Sequence, residues 1–145
     1  MSFTDHLKKL QMVHLATIEA DQPRLRPMTM IYWQQRFWFA TGSQDRKAIQ
    51  LKANPKAEWC LIVPGEDCTG YLKGSGVMRT ETDPAIRKAL ADYAQFLYDY
   101  WKDASDPDFV LYEMQISELK LMLPGAMLEQ DVTDKYLIQA RGITI

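Results

Sequence analysis

Histidine is scarce in this sequence. Two occur among 145 residues, His6 and His14, and they fall on different predicted elements. No Cys/His/Asp cluster has metal-ligand spacing, so no metal centre is expected. No G-x-S-x-G elbow exists and His14 has no evident Ser and Asp partners, which leaves a hydrolase triad unsupported. Neither a P-loop nor a G-x-G-x-x-G pattern occurs; Gly70, Gly74 and Gly76 fit neither, which disfavours a Rossmann site. Two cysteines, Cys60 and Cys68, are too few for a disulfide scaffold, and Cys60, inside an apolar run, is expected in the core. No run approaches the roughly 20 apolar residues of a membrane span. The start, MSFTDHLKKLQMV, has no signal-peptide apolar region, so the expectation is a soluble cytoplasmic protein. Net charge is -2, which gives no global field towards nucleic acid or an anionic membrane. Any anion site must be local.

What is present suffices for a core: 47% of residues are apolar. Length fits one domain, 1–145, with 126–145 as a C-terminal tail packing on the rest or on a partner. The patterning predicts a short helix over 5–12 capped by Thr4, then strands over 13–19, 24–33 and 36–40. A helix over 43–53 is stopped by Asn54-Pro55. Strands follow over 57–63 and 71–81. Next comes a helix opening at Asp83-Pro84, with Ile86, Leu90, Tyr93, Ala94, Leu97 and Trp101 at helical spacing. A last strand or strand pair covers 109–123. Pro27 cannot donate to a ladder, so its strand should be an edge or carry a bulge. Gly74 and Gly76 suggest a bulge or a close approach to the backbone. Three consecutive strands with hairpin-length links point to an α+β fold with a mainly antiparallel barrel or curved sheet and peripheral helices.

The stretch Thr41-Gly42-Ser43-Gln44-Asp45-Arg46-Lys47 admits two readings. One is a strand-to-helix loop with Ser43 as N-cap and two solvated cations. The other is a phosphate cradle, in which the hydroxyls of Thr41 and Ser43, the free amides of the helix start and the charges of Arg46 and Lys47 converge. Cations in a first helical turn oppose the macrodipole, which asks for a compensating negative group. Arg24 and Arg26 share a face of the preceding strand. They are either a solvated edge or a second reach to the same phosphate, with the backbone of Pro27, Met28 and Thr29 near the rim of a flat ring.

In order, Leu15-Ala16-Thr17, Arg24 to Met28, Phe39-Ala40-Thr41, Ser43 with Arg46-Lys47, Asn54-Pro55, Tyr71-Leu72-Lys73-Gly74 and Asp83-Pro84 resemble the pyridoxamine 5'-phosphate oxidase-like family of FMN-binding split β-barrels, over about residues 5 to 125. The resemblance implies a dimeric split barrel with FMN, or alternatively a deazaflavin, at the homodimer interface. It implies that Arg26, Pro27, Met28 and Thr29 border the isoalloxazine and ribityl chain and that Thr41, Ser43, Arg46 and Lys47 hold the phosphate. In a dimer of this kind an aromatic such as Trp59 or Trp101 would reach into the partner's site. True pyridoxamine 5'-phosphate oxidases of this family carry a C-terminal Arg-Leu-His-Asp-Arg-like segment. This chain ends LEQDVTDKYLIQARGITI, with no histidine after His14. The expectation is therefore an FMN-dependent oxidoreductase acting on another substrate, or a non-catalytic flavin- or deazaflavin-binding sensor or carrier. The few histidines speak against haem.

Overall fold

The computed structural model describes residues 2–141. Six antiparallel strands close a barrel: β1 (Leu10–Glu19), β2 (Gln22–Trp33), β3 (Arg36–Gly42), β4 (Lys56–Pro64), β5 (Thr69–Thr80) and β6 (Phe109–Met122). The sheet order is β3-β2-β1-β4-β5-β6, and β3 also pairs with β6 to complete the ring. Helices α1 (Arg46–Ala53), α2 (Pro84–Ala94) and α3 (Thr133–Arg141) lie around it, and a two-residue strand β7 (Gln130–Asp131) adds to β6. The architecture is α+β, as the strand order predicts.

Two cores follow from the residue pattern. Inward-facing Val13, Leu15, Met30, Phe37, Phe39, Trp59, Leu72, Met114 and Leu119 fill the barrel. Outside it, Trp38, Ile31 and Leu111 pack against Leu90, Ala91, Ala94 and Leu97. Strand β3 is thus buried on both faces, which is why it reads as the unbroken run Phe37-Trp38-Phe39 rather than as an alternation. The expected irregularity at the glycines is present. The β5–β6 register shifts between Ser75 and Gly76. At Gly74 the indole of Trp59 approaches so closely that a Cβ would lie 2.7 Å from two of its ring carbons.

Several expected boundaries move. Residues 5–12 do not form a helix: a 3-10 turn, Phe3–His6, is capped by Ser2 rather than Thr4, and β1 begins at Leu10. Pairing decides this, since Leu10 to Val13 extend the ladder opposite Met28 to Ile31. The helical period expected through Trp101 breaks at Gln95, which takes φ 58°, and a 3-10 turn, Phe96–Asp99, follows. Leu90, Ala94 and Leu97 are still all buried, so the period reports the buried face but not the continuity of the helix. Cys60 is half-buried rather than core, and burial pushes its thiol up. The tail packs on the barrel through Val132 and Tyr136, whose ring lies 5.3 Å from that of Phe37; residues 142–145 lie outside the described part. No described helix is long and apolar enough to cross a membrane.

Candidate functional site

Strand β2 pairs with β1 from Gln22 to Ile31, but with β3 only through Ile31, Tyr32 and Trp33. Between residues 22 and 30 its second edge has no ladder partner among the described residues. The barrel is split there. Pro27 is accommodated because the edge it faces carries no sheet hydrogen bonds.

Two clefts open along this split. The first, of about 420 Å³, is bordered by Met28, Thr29, Thr41, Lys47, Tyr100 and Trp101. The second, of about 580 Å³, is bordered by Arg24, Arg26, Asp45, Arg46, Lys47 and Gln50. Asp45 and Lys47 belong to both, so a compartment with an aromatic wall, which Asp108 also borders, adjoins a basic one at the start of α1.

Local chemistry explains each placement. Asp45, not Ser43, is the N-cap of α1, its carboxylate accepting from the Lys47 amide at 3.0 Å. An ionised carboxylate offsets the positive end of the helix dipole better than a hydroxyl does. The same oxygen holds the Lys47 ammonium at 2.8 Å. Partial burial raises the Asp45 carboxyl, but the Lys47 side chain and amide and the Arg26 charge outweigh this and hold it below the usual carboxylate range. Arg46 is exposed and pairs with Glu19 at 3.3 Å; Glu19 also takes Arg24 at 2.8 Å. The side chains of Arg24, Gln50 and Arg46 together hold the Glu19 carboxyl low. The two cations in the first turn are therefore balanced from within the chain.

Arg26 is half-buried. Its guanidinium donates to the Thr17 hydroxyl at 2.7 Å, the Gln50 side-chain carbonyl at 2.8 Å and the Leu15 backbone carbonyl at 3.3 Å. It thereby ties α1 to the open end of β1 and β2. Thr41 is buried on the inward face of β3. Ser43 turns away from the basic cleft, its hydroxyl donating to Asp108 at 2.8 Å and its amide to the same carboxylate at 3.0 Å. Asp108 also accepts from the Trp101 indole at 3.0 Å. These bonds from Trp101 and Ser43 lower its carboxyl and latch the β3–α1 loop to the aromatic wall. Trp59, by contrast, is fully buried in the barrel and reaches no cleft surface.

Of the residues expected at the site, Arg26, Arg46 and Lys47 meet in the basic cleft, and Met28, Thr29, Thr41 and Lys47 in the aromatic one. Pro27 and Ser43 border neither. Asp45, Glu19, Gln50, Asp108 and Tyr100 are additions. For Asp45 a signal existed, since it directly precedes the first helical residue and is a stronger helix-start residue than its neighbours. Glu19 needed the β1–β2 register, which places it opposite Gln22. A further cleft of about 610 Å³ lies by the start of α2, but both of its cations are engaged, Arg87 with the backbone carbonyls of Ala104, Asp106 and Phe109 and Lys88 with Asp92.

Residues 3–123 match the family described as pyridoxamine 5'-phosphate oxidase. No curated protein matches the chain. Among solved structures, a NimC/NimA family protein from Clostridium acetobutylicum is similar, with TM-score 0.69 and 16% identity over 83% of this chain and 81% of that one. General Stress Protein 26 from Bacillus anthracis matches with TM-score 0.64 and 20% identity, covering 83% and 88%. A haem-binding protein from Mycobacterium smegmatis matches with TM-score 0.71 and 16% identity, covering 87% of this chain and 55% of that one. At these identities the likeness is one of fold.

Proposed function

This chain belongs to the pyridoxamine 5'-phosphate oxidase family, and from that premise we propose that it is an FMN-binding oxidoreductase acting on a substrate other than pyridoxamine 5'-phosphate. The supporting observation is the pair of adjoining clefts at the β2–β3 split. Four cations and one carboxylate border the basic compartment, which suits a phosphate dianion. The neighbouring compartment, with Met28, Tyr100 and Trp101 on its border, suits a flat ring.

In this reading Lys47, with Arg26 beside it, binds the phosphate. Met28 and Thr29 border the ring, and Tyr100 and Trp101 exclude water from it. The bound flavin would supply the two-electron chemistry. Asp45 and Asp108 are both engaged in ion pairs or hydrogen bonds, and the residues at this place serve to bind and position the ring. Because that is equally what a carrier needs, the second reading is a non-catalytic flavin- or deazaflavin-binding protein. A homodimer that completes each site from its partner is part of the proposal.

Haem is the competing ligand, since haem-binding proteins occur among the fold neighbours. Against it, neither histidine borders the two clefts: His14 is exposed on β1 and His6 lies on the N-terminal 3-10 turn. The deciding experiment is the visible spectrum of the purified protein before and after adding FMN or haemin and desalting. Retained flavin bands, with haemin lost, are expected. A retained Soret band with all FMN released would overturn the flavin reading.

A further inference from the structure

The basic cleft contains its own anion. Asp45 makes two bonds through one carboxylate oxygen, to the Lys47 ammonium at 2.8 Å and to the Lys47 backbone amide at 3.0 Å. These are the donors that a phosphate at the start of α1 would use. The Lys47 side chain is 18% exposed and the Asp45 side chain 45%. The ammonium is therefore fixed where the two clefts meet, while the carboxylate has solvent to move into. Glu19 does the same at the rim, holding Arg46 and Arg24.

We propose that Asp45 is a displaceable counter-charge that tempers the affinity of this place for phosphate: a phosphate monoester takes over both of its bonds to Lys47, and an unphosphorylated ligand leaves them in place. The inference rests on the flavin reading above and deepens it. A dianionic monoester brings more charge than the single carboxylate it replaces, so the exchange is favourable at a site bordered by four cations. A neutral ligand gains nothing there. Asp45 is thus a specificity-determining residue whose presence weakens phosphate binding and whose removal sharpens the choice of phosphorylated over unphosphorylated flavin.

The test is direct titration of FMN and of riboflavin into wild type, Asp45→Asn and Asp45→Ser, read by flavin fluorescence and calorimetry. Asn and Ser both remain good N-caps, so α1 is retained, and circular dichroism checks this. The expected result is FMN affinity increased about tenfold in the variants with riboflavin affinity unchanged. FMN binding in Asp45→Asn but not in wild type would also support the inference. Wild type that binds FMN, with variants that bind it equally or more weakly, would overturn the inference alone and make Asp45 a positioning group for Lys47. Failure of wild type and both variants to bind FMN would overturn the flavin reading and the inference together.

Discussion

The two cations at the start of α1 are adjacent in sequence, but the structure makes them unequal, and this can be measured. Lys47 borders both clefts and is 18% exposed; Arg46 is 81% exposed and engaged with Glu19. A charge-assisted hydrogen bond from a sheltered group contributes about 1.5–3 kcal/mol. Lys47→Ala should therefore weaken FMN binding by about 10- to 150-fold. It also leaves Asp45 without its ammonium partner, facing the incoming phosphate, which moves the expectation to the upper end of that range. Arg46→Ala removes an exposed cation that is already paired, and should cost a factor of about 2 to 5. Fluorescence titration of FMN at low and high salt separates the two. At about 1 M salt the screening length is about 3 Å, so the Arg46 effect should vanish while most of the Lys47 effect persists. Helix α1 should survive both changes, because its cap is the Asp45 carboxylate bonded to a backbone amide. Equal losses for the two variants, or a larger loss for Arg46→Ala, would refute the view that the phosphate sits where the clefts meet.

Two other outcomes test the frame around the site. Gly74→Ala puts a methyl 2.7 Å from Trp59 ring carbons, in a core where Trp59 is fully buried and its ring lies 4.9 Å from that of Phe37; urea unfolding should show a loss of about 1–3 kcal/mol. Trp59→Phe removes those ring atoms, and its buried indole N–H has no partner to lose, so the pair should be non-additive by about 1 kcal/mol or more in a double-mutant cycle; additive losses would mean that the contact is relieved elsewhere. Asp131 accepts from the Thr133 hydroxyl and amide and from Lys120, which hold its carboxyl down to about 2 from 3.8. A depressed folded value means that its contribution is present above 3.8 and is lost as pH falls towards 2. The stability gap between wild type and Asp131→Asn should therefore be constant above about pH 4 and close below it in acid unfolding curves; a gap independent of pH down to 2 would count against the Asp131 hydrogen bonds as its source.

Most of the strand order was legible because alternation and turn residues are local signals. Pro27 announced an unpaired edge, and the glycines of β5 announced a bulge. The errors lie where tertiary pairing overrode a local preference. Residues 10–12 have a helical flavour in isolation, but extending the ladder opposite Thr29 to Ile31 satisfies their backbone groups. The break at Gln95 was invisible because Leu90, Ala94 and Leu97 keep helical spacing across it, and a buried stripe does not reveal where an axis ends. The helix α3 was missed because Val132 and Tyr136 are its main anchors on the barrel, too few to establish a period.

At the site, the residue types were legible but their mutual engagement was not. Arg46 and Lys47 at the start of a helix do call for a negative group, and reading the chain alone invites a ligand to supply it. The structure supplies two from within: Asp45, one residue upstream, and Glu19, at the end of β1, the strand that α1 packs against. Ser43, which looked like part of the cradle, is held instead by Asp108, 65 positions away, a distance at which no local pattern speaks. A basic motif is thus evidence of where an anion can bind, while the charge it has left over is a property of the folded register. That remainder is what a ligand competes for, and in the reading proposed above the affinity for phosphate depends as much on the carboxylates that must step aside as on the cations that receive it.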